Sequence, residues 1–173
     1  MAERETKLVR EAQAGSHEAL SALYDAHWTK AHRAAYLVVH DGAAAEDIAQ
    51  DAFLAAVDAL DRFDRRRPFG PWLHRIVVNR AIDWSRREAL RRGTGDEIEP
   101  EAPPPTEQLG ADVMAALAQL PAEQRAVVVL RYLLDYTPGE TARMLGLPRG
   151  TVNSRLRRAL DRLGTLLERE VLR

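Results

Sequence analysis

Cysteine is absent from this 173-residue chain, which removes disulfides and thiolate metal ligands and makes a reducing cytoplasm the expected setting. Aromatic residues are scarce, at 6%, and the 46% apolar content rests on Ala, Leu and Val. Strands would call for more Tyr, Phe, Ile and Thr, so the expected class is all-α. No apolar run approaches the ~18–20 residues of a membrane span, and no hydrophobic segment follows Met1-Ala-Glu-Arg4. The five histidines (17, 27, 32, 40 and 74) lack metal-ligand spacing, and His40-Asp41 reads as a helix-terminal turn. There is no glycine-rich phosphate loop and no Gly-x-Ser-x-Gly elbow. The expectation is therefore a protein without a metal or cofactor, and not an enzyme.

A large charge of either sign is also missing, since the formal net charge is −1. Mapping it along the chain changes the picture. Residues 1–60 carry five Lys/Arg against ten Asp/Glu, and residues 62–92 carry ten Arg against three acids. The stretch 93–124 has no Lys or Arg at all, whereas 143–173 carries eight Arg against three acids. Such alternation confines contact with a polyanion to two patches, although solvated helix faces would give the same map.

The clearest boundary is Gly93-Thr-Gly-Asp-Glu-Ile-Glu-Pro-Glu-Ala-Pro-Pro-Pro-Thr106, which holds too little apolar surface to offset the entropy of ordering. It is expected to be an extended, mobile, acidic linker. Before it, the pattern predicts four helices. The first runs from about Glu3 to Ala14 and stops at Gly15, and the second is capped by Ser16. A third, after Asp41-Gly42, turns Ile48, Ala52, Val57 and Leu60 inward and Glu46, Asp47, Gln50, Asp51 and Asp58 outward. A fourth begins near Pro71, with Phe69, Trp72, Leu73, Ile76, Val77 and Trp84 on one face. That spacing favours core packing for Trp72 and Trp84 over base-stacking platforms.

After the linker come helical segments Val113–Leu120 and Ala122–Leu134, then a short pair. Thr137-Pro138-Gly139-Glu140 combines a Thr cap, Pro at the first helical position and Glu three residues after the cap. That helix ends at Gly146. The next turns Val152, Leu156, Ala159, Leu160 and Leu163 inward and shows Arg149, Asn153, Ser154, Arg157 and Arg158 outward. Two short helices about a Gly-containing turn, the second rich in Arg, describe a helix-turn-helix. Its second helix suits the major groove, where Arg pairs with guanine and Asn with adenine while other residues hold phosphates.

Three motifs resemble one family. Leu120-Pro-Ala-Glu-Gln-Arg-Ala-Val-Val-Val-Leu-Arg-Tyr132, with the hairpin and Gly150-Thr-Val-Asn-Ser-Arg-Leu-Arg-Arg-Ala159, resembles domain 4 of bacterial sigma factors. Ala45-Glu-Asp-Ile-Ala-Gln-Asp-Ala-Phe53 resembles the domain 2 helix that grips the polymerase clamp. Phe69-Gly-Pro-Trp-Leu-His-Arg-Ile-Val-Val-Asn-Arg-Ala-Ile-Asp-Trp-Ser-Arg-Arg87 resembles the segment that reads and opens the −10 element. With only domains 2 and 4 recognisable, the chain is similar to the extracytoplasmic-function group.

The resemblance implies two small helical domains, 1–92 and 108–173, joined by a linker over 93–107. It implies core RNA polymerase and promoter DNA as partners, with an anti-sigma factor as a further one. It assigns core binding to Glu46, Asp47, Gln50 and Asp51. Contact with the −10 element falls to Arg62, Arg65, Arg66, Arg67, Phe69, Asn79, Asp83, Arg86 and Arg87. Contact with the −35 element falls to Arg149, Thr151, Asn153, Ser154, Arg155, Arg157 and Arg158. Departures from the family pattern are Asn153 where Lys or Arg often stands, Arg157 where an aromatic or His is frequent, and Pro138-Gly139 at the start of the first hairpin helix. With no ATP-binding motif, melting of DNA would draw on binding energy, through capture of an unstacked base. Asn79 and the Phe63–Phe69 loop are the candidates for that capture. A sigma-like DNA-binding regulator without polymerase engagement, and a helical interaction module without DNA, stand as alternatives.

Overall fold

Ser16 and Asp41 set helix boundaries by the same device, a side-chain oxygen that accepts an otherwise orphaned backbone amide. The computed structural model describes residues 2–92 and 110–171, so the expected linker over 93–107 lies outside the described residues. Helix α1 (Ala2–Gln13) runs out at Gly15, whose φ of +92° is a turn that glycine makes without strain. Ser16 then accepts the Ala19 amide at 3.2 Å and opens α2 (His17–Val39). The chain leaves α2 through His40 in the left-handed region, φ +53°, and the Asp41 carboxylate accepts the Ala44 amide at 2.8 Å to open α3 (Gly42–Asp58). A 3₁₀ turn at Leu60–Arg62 precedes α4 (Phe69–Arg92). Pro71 falls in the first turn of α4, where its missing N–H costs nothing.

Small residues bring α2, α3 and α4 close together. Ala31, Ala34, Ala35, Ala45, Ala52 and Ala81 are all fully buried, with Leu73, Val77 and Val78 between them. Close packing of this kind supplies most of the stability that the short helices cannot supply alone. Trp72 and Trp84 are partly buried and packed against this core, as their spacing predicts.

The second half comprises α5 (Ala111–Ala118), α6 (Ala122–Val128), α7 (Pro138–Leu145) and α8 (Arg149–Val171). The segment read as one helix over Ala122–Leu134 is instead interrupted. From Val129 to Leu133 it widens into a π-helical turn, with the Leu134 amide donating to the Val129 carbonyl at 3.1 Å. Tyr136 reaches back to the Leu130 carbonyl at 2.9 Å, and Asp135 takes φ +58° to allow it. This reversal turns the Tyr136 side chain toward the first half. The Thr137 capping box is complete: the Glu140 amide donates to the Thr137 hydroxyl at 3.3 Å and the Thr137 amide to the Glu140 carboxylate at 2.8 Å. Gly146, at φ +65°, closes α7.

Two positions expected inward face out. Val57 lies two turns beyond Gln50 and Leu160 two turns beyond Asn153, so each shares the outer face of its helix, at 45% and 39% exposure. Hydrophobicity alone could not separate them from core residues. The larger difference is between the halves. Leu117, Leu120, Val128, Leu130 and Met144 of the second half join the core of α2 and α4 in one contiguous apolar cluster. No strand occurs among the described residues, and no described helix is long and apolar enough to cross a membrane.

Candidate nucleic-acid and polymerase interfaces

The outer face of α3 is the first candidate surface. Glu46, Asp47, Gln50 and Asp51 are all exposed there, with Gln50 donating to the Glu46 carboxylate at 3.2 Å. One and two turns past Gln50 the face becomes apolar. Leu54 is 64% exposed, and with Leu20, Ser21, Tyr24, Gln50, Phe53 and Val57 it lines an open groove of about 380 Å³. Burial, followed by the charges of Glu46 and Asp25, raises the Tyr24 phenol above its ordinary value. The groove is thus apolar with an acidic rim, suited to a helix that is apolar on one side and basic at its edges. On the other flank of α3, Asp47 and Asp51 share a small pocket with Arg80 and Arg87 of α4, and Arg80 approaches Asp51 to 3.9 Å.

The second surface is α4 with the loop before it. Arg62, Arg65, Arg66 and Arg67 are exposed, and the Arg66 guanidinium binds both oxygens of Asp64, at 3.0 and 3.2 Å. The Asp64 carboxyl is held below its ordinary value by that bond. Phe69 is buried, unlike the arginines beside it. It is 4% exposed and packs edge-on against Phe63 and Trp72, with His27 beside it, so the aromatic ends of the loop anchor it to the core. Only the Arg65–Pro68 crest stands free. Along α4, Asp83 and Arg87 are exposed. Asn79 and Arg86 are engaged: Asn79 donates to the Met144 carbonyl of α7 at 3.1 Å, and Arg86 donates to Glu123 of α6 at 3.0 Å.

The third surface is α8. Val127, Ala142 and Val152, with Leu145, Leu147 and Leu156 around them, pin α6, α7 and α8 together. This fixes which side of α8 looks outward. Arg149, Asn153, Arg157 and Arg158 are exposed there, and Arg158 donates to the Ser154 carbonyl at 3.2 Å. Ser154 and Thr151 are half-buried, the Ser154 hydroxyl donating to the Thr151 carbonyl at 3.0 Å. Arg155 turns toward α6. Burial pushes the Glu123 carboxyl up, but Arg86 bonded to it, with Arg155 nearby, brings it below its ordinary value.

The family model for Sigma-70 region 2 matches residues 23–91, and that for Sigma-70 region 4 matches residues 111–163. The sequence is 38% identical over 156 residues to the ECF RNA polymerase sigma factor SigM of Mycobacterium tuberculosis, covering 89% of this chain and 80% of that one. This chain is an extracytoplasmic-function sigma factor. As such it is an alternative initiation factor that directs RNA polymerase to promoters. Its fold is similar to that of CnrH solved with the cytosolic domain of CnrY, at TM-score 0.72 and 31% identity, covering 95% of this chain and 97% of that one. It is equally similar to the sigma factor RpoE of Bartonella quintana solved with the anti-sigma factor NepR, at TM-score 0.73 and 25% identity over 86% of this chain and 96% of that one.

Region 2 of this sigma factor meets region 4 through one buried and one half-buried histidine. The His74 ring bonds the Tyr136 hydroxyl at 2.8 Å and is 6% exposed, with His27 at 6.3 Å between ring centres. Burial, then the nearby His27 and Lys30, pushes His74 down to about 4. His40, edge-on to Tyr36, is likewise pushed down to about 4 by burial and by Arg125 of α6. Arg125 itself is lowered to about 10, chiefly by burial. Both imidazoles are therefore neutral at pH 7, beside a junction that also holds the Arg86–Glu123 ion pair and Arg125. The sequence had marked His40-Asp41 as a helix-terminal turn, which is where His40 stands as the cap of α2, but carried no sign that His40 or His74 meets the second half.

Sequence reasoning also passed over Leu54, Val57 and Tyr24. A signal was present: Leu54 follows Gln50 by one turn, so an exposed Gln50 implies an exposed Leu54. His74, Asn79 and Arg86 carried no sign of their partners, because those lie 62, 65 and 37 residues away.

Proposed function

We propose that the chain divides into a core-binding and −10-reading unit over 1–92, a linker over 93–107 and a −35-reading unit over 108–173. The observation that carries the −35 assignment is the solvent face of α8, where Arg149, Asn153, Arg157 and Arg158 stand together on the second helix of the hairpin. Arg149 and Asn153 lie early in that helix, where contact with base edges is made, and Arg157 and Arg158 suit phosphates. Thr151 and Ser154 flank this set, and Arg155 supports it from the α6 side.

The −10 element is read by the Arg62–Arg67 crest with Asp83 and Arg87, joined by Asn79 and Arg86 once these are released from region 4. Base capture centres on Asn79 and not on Phe69. Holding the displaced strand on arginines offsets a cost of a few kcal/mol for unstacking a base. Core polymerase is bound by the α3 face: Glu46, Asp47, Gln50 and Asp51 steer the encounter, and Leu54, Val57 and Tyr24 provide the apolar contact.

The proposed setting is the cytoplasm, the proposed partners are core RNA polymerase, promoter DNA and an anti-sigma factor, and the role is non-enzymatic. The anti-sigma partner follows from RpoE of Bartonella quintana, which was solved bound to one. Run-off transcription with core polymerase on genomic DNA, followed by start-site mapping, tests the proposal. Transcripts should share two spaced upstream elements. A protein that neither joins polymerase nor directs any start would instead be a sigma-like regulator, and the reading would fail.

A further inference from the structure

Two contacts from α1 bracket the loop that carries the basic crest. At the start of the loop, the Gln13 side-chain amide donates to the Leu60 carbonyl at 2.9 Å and to the Phe63 carbonyl at 3.0 Å. Both N–H groups of that amide are thereby used, one on each carbonyl. At the end of the loop, the His27 ring donates to the Glu5 carboxylate at 2.8 Å. The same ring lies so close to Gly70 that a Cβ there would stand 3.0 Å from it. Glu5 and Gln13 are roughly 12 Å apart along α1, and α1 itself is seated in the core by Val9 and Ala12.

What lies between the two contacts is built outward from Phe63. Its ring packs against Trp72 and Phe69, with ring centres 4.5 and 6.0 Å away, while its carbonyl rests on Gln13. The next residue, Asp64, accepts the Arg66 amide at 3.1 Å on its carboxylate and the Arg67 amide at 2.9 Å on its carbonyl. Arg65, Arg66 and Arg67 are displayed to solvent from that turn. The direction in which these arginines leave the core is thus set by two carbonyls, and one side chain 47 and 50 residues upstream holds both. A loop left free to re-aim its side chains accommodates wrong partners as readily as right ones, and a supporting hydrogen bond from behind removes that freedom.

We propose that Gln13 is a positioning residue for the −10 element: from α1 it fixes the backbone of the 63–68 loop, and so sets which bases the crest accepts, without touching DNA itself. This rests on the reading under Proposed function that the crest meets the −10 element. It adds a determinant of promoter choice on a helix to which no DNA contact is assigned.

Gln13→Met keeps the length of the side chain and removes both donors, while Gln13→Lys restores donors at nearly the same reach. Two measurements are made on each full-length chain. The first is limited trypsin digestion of the free protein, followed at the bonds after Arg65 and Arg66. Cleavage there should be roughly tenfold faster in Gln13→Met, as two hydrogen bonds that hold the loop are lost, and close to wild type in Gln13→Lys. The second is run-off transcription with core polymerase from a mapped promoter and from templates with single-base changes in its start-proximal or start-distal element. Gln13→Met should lose roughly tenfold of the discrimination at the start-proximal element, keep it at the start-distal one and bind core polymerase as wild type does. Gln13→Lys should recover the lost discrimination. The readout is a ratio between templates, so a change in the amount of folded protein, or an added charge, cancels. Unchanged cleavage in Gln13→Met would overturn the inference, as would discrimination that is unaltered or is lost equally at both elements. A wild-type chain that directs no start would instead refute the functional reading, and the cleavage rates would show separately whether Gln13 holds the loop.

Discussion

Acidification from pH 7.5 to about 5.5 should destabilise this protein well before its carboxylates titrate, and His40 and His74 are the reason. His74 is buried and His40 half-buried where region 2 meets region 4, and each is pushed from 6.5 down to about 4. His40 faces Arg125 of α6 and the Tyr36 ring, while His74 faces Tyr136, His27 and Lys30. The folded state holds both neutral, and the unfolded chain takes up protons once the pH drops below 6.5. Stability is therefore complete above that value and is lost as the pH falls toward 4. Linkage gives a loss of about 1.4 kcal/mol per histidine at pH ~5.5, or roughly 3 kcal/mol for the pair. For a chain of this size that corresponds to a fall in Tm of roughly 5–10 °C. The lowered carboxyls of Glu18, Asp64, Glu123 and Glu140 start from ordinary values of 4.5 or 3.8, so their contribution appears only at lower pH. Thermal melts followed by circular dichroism at several pH values would measure the slope. His40→Asn keeps a residue that tolerates the left-handed backbone while removing the titration, and should reduce the slope by about half. A flat Tm over this window, or an unchanged slope in the variant, would refute the assignment of neutral histidines to the junction.

Four further outcomes are expected. Thr137→Ala removes the capping box of α7 and should cost about 1 kcal/mol, read as a lower midpoint in urea with an unchanged slope. Leu54→Ala leaves the melting temperature unaltered, because Leu54 is 64% exposed, yet weakens core-polymerase affinity by roughly tenfold or more as a buried leucine contact is lost; Asp47→Arg, on the same face, should impair holoenzyme assembly by charge reversal. Arg158→Ala weakens −35 binding by the holoenzyme across promoter sequences and lowers the salt slope of binding by about 1, which a titration in rising KCl would report.

Much of this protein followed from local rules. Ser16, Asp41, Thr137 and Gly146 act within a few residues of themselves, so their cap and turn chemistry was legible without the fold. The outer face of α8 followed from a period of 3.6 residues, and so did the acidic face of α3. The same periodicity misplaced Val57 and Leu160, because an apolar residue on an outer face looks like a core residue until a neighbour is shown to be missing. Phe69 is the converse: the family resemblance put it among the −10 contacts, in a loop that is a candidate for base capture, and only the tertiary structure shows Phe63, Trp72 and His27 packed around it as an anchor.

What only the tertiary structure decided was the closure of the two halves and everything that depends on it. The sequence determined the helices, their caps, their charged faces and the family, because each rests on residues close together in the chain. It could not say that Tyr136 meets His74, that Met144 meets Asn79, or that Glu123 meets Arg86. Those pairs are fixed by a π-helical turn and by a shared apolar core, and such contacts between distant segments leave no periodic trace in the order of residues.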